Sequence, residues 1–226
     1  MLKVVLGMFL SYIIGSIPTA VIVSKLFFGF DIRTRGSGNM GSTNAFRQLG
    51  VFWGALVQIV DILKGYIPAY FLSRFVVDSL KVDFVNSVGG EISFMLIFGF
   101  CAVAGHIWSV FVGFKGGKGI NTALGMLLAI TPLEVLICLI VFIFVFLASG
   151  FVSLGSLFAS LSYPIIIVIR RFVFDYNYSN FTIIFGFSVL LLILVVFTHR
   201  SNIQRLIKGT ENKFEKFHII RFKRRN

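Results

Sequence analysis

FTIIFGFSVLLLILVVFT, residues 181–198, carries no charged side chain and no interruption stronger than a single glycine. Such a run suits a bilayer, where a crossing helix needs roughly 20 mostly apolar residues and backbone polar groups must be satisfied within the helix itself. Comparable apolar runs cover residues 2–28, 51–71, 92–112, 120–130, 133–148 and 151–169, seven segments in all. Of 226 residues, 57% are hydrophobic and only 13% charged, with a mean hydropathy of +0.94. Soluble domains run at about 45–50% apolar and about 25% charged. The sequence therefore predicts an all-α, polytopic integral membrane helical bundle of about seven transmembrane segments, with residues 1–226 forming a single domain.

The segment 120–130 is too short to cross alone at about 1.5 Å per residue; it is expected to be extended by its flanks or to be a partly inserted helix. The first segment follows Lys3 but continues well past the apolar core of a signal peptide, with no small-residue cleavage site, and is read as a retained helix. Cys101 and Cys138 fall in apolar segments and are expected to pack as small hydrophobes. Asp61 and Lys64, three residues apart inside the second segment, are expected to pair, because unpaired charge at membrane depth is expensive.

Cytoplasmic loops carry the excess of lysine and arginine. With seven spans, one face receives Lys25, Arg33, Arg35, Arg47, Lys115, Lys118 and nine basic residues from Arg200 to Arg225, fifteen in all. The other face receives five: Lys3, Arg74, Lys81, Arg170 and Arg171. This predicts an outside N-terminus and a cytoplasmic C-terminus. The net charge of +12 lies in membrane-adjacent loops and in the tail HIIRFKRRN, which suits anionic lipid headgroups; nothing resembles a nucleic-acid-binding domain.

Three stretches interrupt the apolar pattern on the predicted cytoplasmic side. RGSGNMGSTNAFR, 35–47, interleaves glycines with Ser37, Asn39, Ser42, Thr43 and Asn44. Glycine backbones allow N–H groups to converge on an anion, and Arg47 adds a forked donor for phosphate or carboxylate. An ordinary polar turn with Ser42 or Thr43 as helix cap is the plainer alternative. FKGGKG, 114–119, combines Lys115 and Lys118 with Gly116, Gly117 and Gly119 immediately before an apolar segment whose positive helix end could face the same anion. It lacks the GxxxxGK[ST] spacing of a Walker A loop. HRSNIQRLIKGTENK, 199–213, sets His199 and Asn202 three apart, a spacing that puts both on one helix face. No cysteine or second acid stands at metal-ligand spacing, so neither metal nor cofactor is expected.

Together, GSGNMGSTNAFR, GHIWSVFVGFKGGKG and HRSNIQRLIKGTENK resemble, in order and spacing, the three cytoplasmic motifs of the bacterial acyl-phosphate:glycerol-3-phosphate acyltransferases. The resemblance implies acyl transfer from an acyl phosphate to the sn-1 hydroxyl of glycerol 3-phosphate, giving lysophosphatidic acid and phosphate. It implies catalytic roles for Ser37, Arg47, His199 and Asn202. Substrate binding would fall to Gly38, Asn39, Gly41, Thr43 and Asn44 in the first motif, to Lys115, Gly116, Gly117, Lys118 and Gly119 in the second, and to Ser153 within FVSLGSL. It further implies the cytoplasmic membrane of a bacterium, an active site facing the cytoplasm, membrane lipid around the chain, and an upstream enzyme that forms the acyl phosphate. Four positions depart from the family pattern: Met40 replaces a usual proline, Ser42 a common alanine, and Trp108-Ser109 a usual phenylalanine-proline, which bears on loop rigidity.

Two other classes share parts of this composition. A transporter of phosphate or a phosphorylated metabolite would combine glycine-broken helices with basic residues, but no internal repeat is visible. A CDP-alcohol phosphotransferase needs clustered acids for metal, and the predicted cytoplasmic face offers only Asp31, Glu211 and Glu215. The HxxxxD pattern of coenzyme A-dependent acyltransferases is also missing: five residues after His106, His199 and His218 stand Phe111, Gln204 and Lys223.

Overall fold

A computed structural model of the chain describes residues 1–214, in which all regular structure is helical. The tail HIIRFKRRN lies outside the described residues. The chain divides into two compact units, Met1–Thr131 and Pro132–Asn226.

The first unit opens with α1 (Leu2–Ser16) and α2 (Thr19–Phe28). The first expected segment is therefore broken. Pro18 has no N–H and forces Ile17 out of the helical region, to φ −56° and ψ 116°. The break strips main-chain carbonyls of their helical partners, and side chains from later helices take them. Ser109 Oγ donates to the Ser16 carbonyl at 2.5 Å, and Lys64 Nζ donates to that of Ile17. The expected ion pair is present: Lys64 Nζ lies 2.6 Å from Asp61 Oδ1, with both residues buried. Thr19 Oγ1, at the start of α2, donates to the same carboxylate at 3.1 Å.

After α3 (Ser42–Leu49), α4 (Val51–Ile67) continues through a π-helical turn at Pro68–Leu72 into α5 (Ser73–Val77), so the second segment runs further than expected. A short α6 (Val82–Ser87) leads to α7 (Glu91–Ile107), and α8 (Ile120–Ile130) closes the unit. Small residues let these helices touch backbone to backbone, the usual packing device within lipid. A β-carbon on Gly65 would run into the Thr122 carbonyl, and one on Gly125 into that of Ile62. Along α7, Gly119 faces Val103 and Ile107 while Met126 faces Gly99, so α8 runs antiparallel to α7 and returns the chain toward the end where α7 began.

The second unit contains α9 (Pro132–Ser149), α10 (Val152–Phe172), α11 (Phe181–Thr198) and α12 (Arg200–Ile207). Buried Glu134 accepts hydrogen bonds from Arg170 and, at 2.5 Å, from Tyr178 Oη. Burial, together with that carboxylate, pushes the Tyr178 phenol far above its ordinary range.

Among the described residues, six helical stretches are long and apolar enough to cross a membrane: Leu2–Phe28, Val51–Val77, Glu91–Val112, Pro132–Ser149, Val152–Phe172 and Phe181–Thr198. The seventh expected segment is α8, at 11 residues too short to belong with them. Its direction along α7 explains how so short a helix still reverses the chain.

Two outcomes are expected. Ser37→Cys, in a variant lacking Cys101 and Cys138, is labelled by a membrane-impermeant thiol reagent only from the cytoplasmic side; labelling only from outside overturns the charge-derived orientation. Gly65→Ala separates α4 from α8 and destabilises the protein by about 1–3 kcal/mol, read as a lowered thermal transition in detergent; an unchanged transition shows that the contact is loose.

Candidate functional site

The first glycine-rich stretch is shaped from both ends. Upstream, Asp31 accepts from the Arg33 backbone N–H (3.0 Å), Nε (3.0 Å) and Nη2 (2.7 Å), and lies 3.3 Å from Lys25 Nζ. The Arg33 guanidinium above all, with Lys25 assisting, holds the carboxyl well below the usual carboxylate range. Downstream, α3 begins at Ser42 with Gly41 as its cap, so neither Ser42 nor Thr43 caps it. Asn44, buried on the first turn of α3, closes the loop. Its Nδ2 donates to the carbonyls of Ile32, Arg35 and Asn39, and its Oδ1 accepts from the Ser37 N–H. Met40 anchors the underside, packed into a core of Ala20, Val21, Ile32, Ala45, Leu49 and Val57.

Four amides of the loop are bonded within it: Ser37 N–H to Asn44, Gly38 N–H to Arg35 O at 3.1 Å, Asn39 N–H to Ser37 Oγ at 3.4 Å, and Gly41 N–H to Asn39 Oδ1 at 2.8 Å. Asn44 is bonded to the backbone on both sides of its amide, which fixes the shape of the loop. Ser37 is exposed, and Thr43 and Arg47 are half-buried, one helical turn apart on the same face of α3.

FKGGKG folds back on the end of α7. The Gly116 N–H donates to the Ile107 carbonyl and the Gly117 N–H to the His106 carbonyl, both at 3.0 Å. These are carbonyls that a helix end leaves unpaired. Through these amides the two glycines terminate the helix. Gly117 must be glycine for space, since a β-carbon there would run into the His106 imidazole. Lys115 is exposed and Lys118 half-buried. The segment before the loop is pinned by Tyr12 Oη, which donates to the Trp108 carbonyl at 2.6 Å, and by buried Ser109 on Ser16.

One hydrogen bond joins the two motifs. Asn121 Nδ2, on the first turn of α8 immediately after FKGGKG, donates to Ser42 Oγ on the first turn of α3 at 2.8 Å. The structure thus brings Ser42, Thr43 and Arg47 to the same end of the first unit as Lys115 and Lys118. Each departure from the family pattern acquires a contact: Met40 is buried, Ser42 takes Asn121, and Ser109 takes the carbonyl freed by the Pro18 break.

In the second unit His199 stands at the junction of α11 and α12 and Asn202 lies within α12, so the two do not share one continuous helix as expected. Buried His199 places Nδ1 2.9 Å from the Val195 carbonyl. A carbonyl only accepts, so Nδ1 is the donor in this contact. Asn202 Nδ2 donates to Glu211 Oε1 at 2.6 Å, Ser153 Oγ to the same oxygen at 3.0 Å, and Arg205 Nε to Oε2 at 2.6 Å. Burial acts to raise the Glu211 carboxyl, but its three donors outweigh that and hold it below its ordinary value. Glu211 organises both predicted residues, yet the sequence marks it only as one acid between Arg205 and Lys213. Asn121 and His106 escape notice for a related reason: their partners are far away in the chain. Among the described residues no three His, Cys, Asp or Glu side chains come together to hold a metal ion.

The sequence pattern of the family described as "Glycerol-3-phosphate acyltransferase" matches residues 5–209. The glycerol-3-phosphate acyltransferase of Chlorobaculum tepidum is 42% identical, over 90% of this chain and 93% of the relative. That of Salinibacter ruber is 44% identical, over 92% and 91%. Two crystal structures of PlsY (YgiH), an integral membrane glycerol 3-phosphate acyltransferase, superpose on this chain. The glycerol 3-phosphate form gives a TM-score of 0.76 at 35% identity, covering 93% of this chain and 95% of that one. The lysophosphatidic acid form gives 0.74 at 34% identity with the same coverage. The chain belongs to the glycerol-3-phosphate acyltransferase family.

Proposed function

We propose that this chain, by family an acyltransferase acting on glycerol 3-phosphate, takes its acyl group from an acyl phosphate. It transfers that group to the sn-1 hydroxyl, releasing lysophosphatidic acid and inorganic phosphate, at the cytoplasmic face of a bacterial inner membrane. The observation that carries this reading is the Asn121–Ser42 hydrogen bond. It ties two basic motifs more than seventy residues apart to one end of the first unit, and both substrates of the proposed reaction carry phosphate. PlsY has been crystallised in glycerol 3-phosphate and lysophosphatidic acid forms, which are a substrate and a product of the same reaction.

With the amides of Ser37, Gly38, Asn39, Gly41, Gly116 and Gly117 bonded within the protein, anion binding is assigned mainly to side chains. Lys115 and Lys118 act as point charges for the glycerol phosphate group. Arg47 offers a fork to charge that develops on the acyl phosphate as its carbonyl is attacked, and Ser37 and Thr43 supply hydroxyls beside it. In the second unit, Glu211 holds Asn202 and Ser153 in fixed orientations. The acyl phosphate carries its own leaving group, so no covalent enzyme intermediate is needed. An enzyme that makes acyl phosphate is the implied upstream partner.

Purified protein offered glycerol 3-phosphate with acyl phosphate, acyl coenzyme A or acyl carrier protein is expected to turn over only the first; comparable turnover with acyl coenzyme A would falsify the donor assignment. Lys118→Ala is expected to raise KM for glycerol 3-phosphate roughly tenfold or more with little change in kcat, as loss of a charge-assisted contact present in both ground and transition states. Arg47→Ala is expected to lower kcat by about a hundredfold. Kinetics with each substrate varied separately check both, and the reverse pattern exchanges the roles of the two motifs.

A further inference from the structure

Beneath FKGGKG, in the first unit, lies a buried polar cluster that the reaction as proposed does not use: Thr19, Asp61, Lys64 and His106, drawn from the starts, middles and ends of α2, α4 and α7. We propose that His106 is a positioning residue for the glycerol-phosphate loop, its imidazole forming the floor on which Gly117 rests, with the Asp61–Lys64 pair on its other side. This rests on the reading of FKGGKG as the glycerol-phosphate site.

Three observations carry it. The ring is in such close approach to Gly117 that a single added methyl group would meet it. The main chain of the same residue accepts the Gly117 N–H, so ring and carbonyl together fix that glycine from two directions. On the opposite edge, His106 Nδ1 lies 4.0 Å from Asp61 Oδ1 and is buried without a hydrogen-bond partner. Burying an unpaired polar atom is costly, and an apolar side chain would fill the same space without that penalty. The imidazole is one flat group that meets a carboxylate on one edge and a glycine backbone on the other. Asp61 in turn is fixed by Lys64 and Thr19, and Lys64 by the Ile17 carbonyl at the α1–α2 break. A chain of contacts therefore runs from that break to the loop that bears Lys118.

The two amide side chains separate the edges of the ring. Asparagine places a polar atom about where Nδ1 stands but removes the edge beneath Gly117, whereas glutamine reaches as far as Nε2. His106→Asn is expected to raise KM for glycerol 3-phosphate about tenfold, with kcat and KM for acyl phosphate within about twofold, and His106→Gln to recover most of the loss. A role in stability alone would lower the thermal transition and the active fraction but leave KM unchanged, so both are measured. Lys118→Ala is measured alongside. Unchanged KM in His106→Asn with raised KM in Lys118→Ala overturns the positioning role and leaves the loop assignment standing. Unchanged KM in Lys118→Ala overturns the loop assignment and this proposal with it. If His106→Asn does not fold, Gly117→Ala decides: its raised KM is expected to be partly restored by adding His106→Gln, a slimmer and more flexible neighbour, and a further rise in the double variant overturns the contact.

Discussion

The Asp61–Lys64 pair is the interaction on which the first unit depends. Both charges are buried inside an apolar helix, where each alone would be a heavy liability, and removing one partner of such a pair typically costs about 3–5 kcal/mol. Their geometry also solves a second problem. Pro18 breaks the first span and leaves carbonyls in an environment without water, and Lys64 reaches one of them while still paired with Asp61. A charge pair in one helix thus makes a broken helix tolerable in another. Thr19 ties the start of α2 to the same carboxylate, and Ser109 and Tyr12 link the break and its surroundings to the segment that leads into FKGGKG.

Two physical roles stand out among the glycines of the first unit. Those at Gly65 and Gly125 bring α4 and α8 into backbone contact, a packing role that gives a short α8 purchase on its neighbours without hydrophobic driving force from lipid. Those at Gly116 and Gly117 cap α7 through their amides. Both roles build the frame beneath the lysine and arginine side chains of the motifs. That division keeps the charged groups at the polar end of the unit while the frame beneath them is satisfied internally. Glu211 does the corresponding work in the second unit, gathering Ser153, Asn202 and Arg205 on one carboxylate.

The sequence by itself determined the class of the protein, because an uncharged run such as 181–198 and a mean hydropathy of +0.94 leave few physical options. It also determined the three motifs and the Asp61–Lys64 pair, since i,i+3 spacing on a helix is a local property. The roles of the motif amides were not legible, because whether an N–H is available depends on what folds against it: Asn44 closes the first loop from α3, and the last carbonyls of α7 close the second. Residues 2–28 read as one apolar run, and the break at Pro18 emerges only in the fold, where the groups that satisfy it come from Lys64 and Ser109. Likewise Glu211 and His106 read as unremarkable residues until the tertiary structure set three donors around one and a glycine and a carboxylate on either edge of the other. Hydrophobic periodicity and charge are written along the chain; hydrogen bonds between distant helices exist only where packing brings donor and acceptor within about 3 Å, and that was decided by the fold.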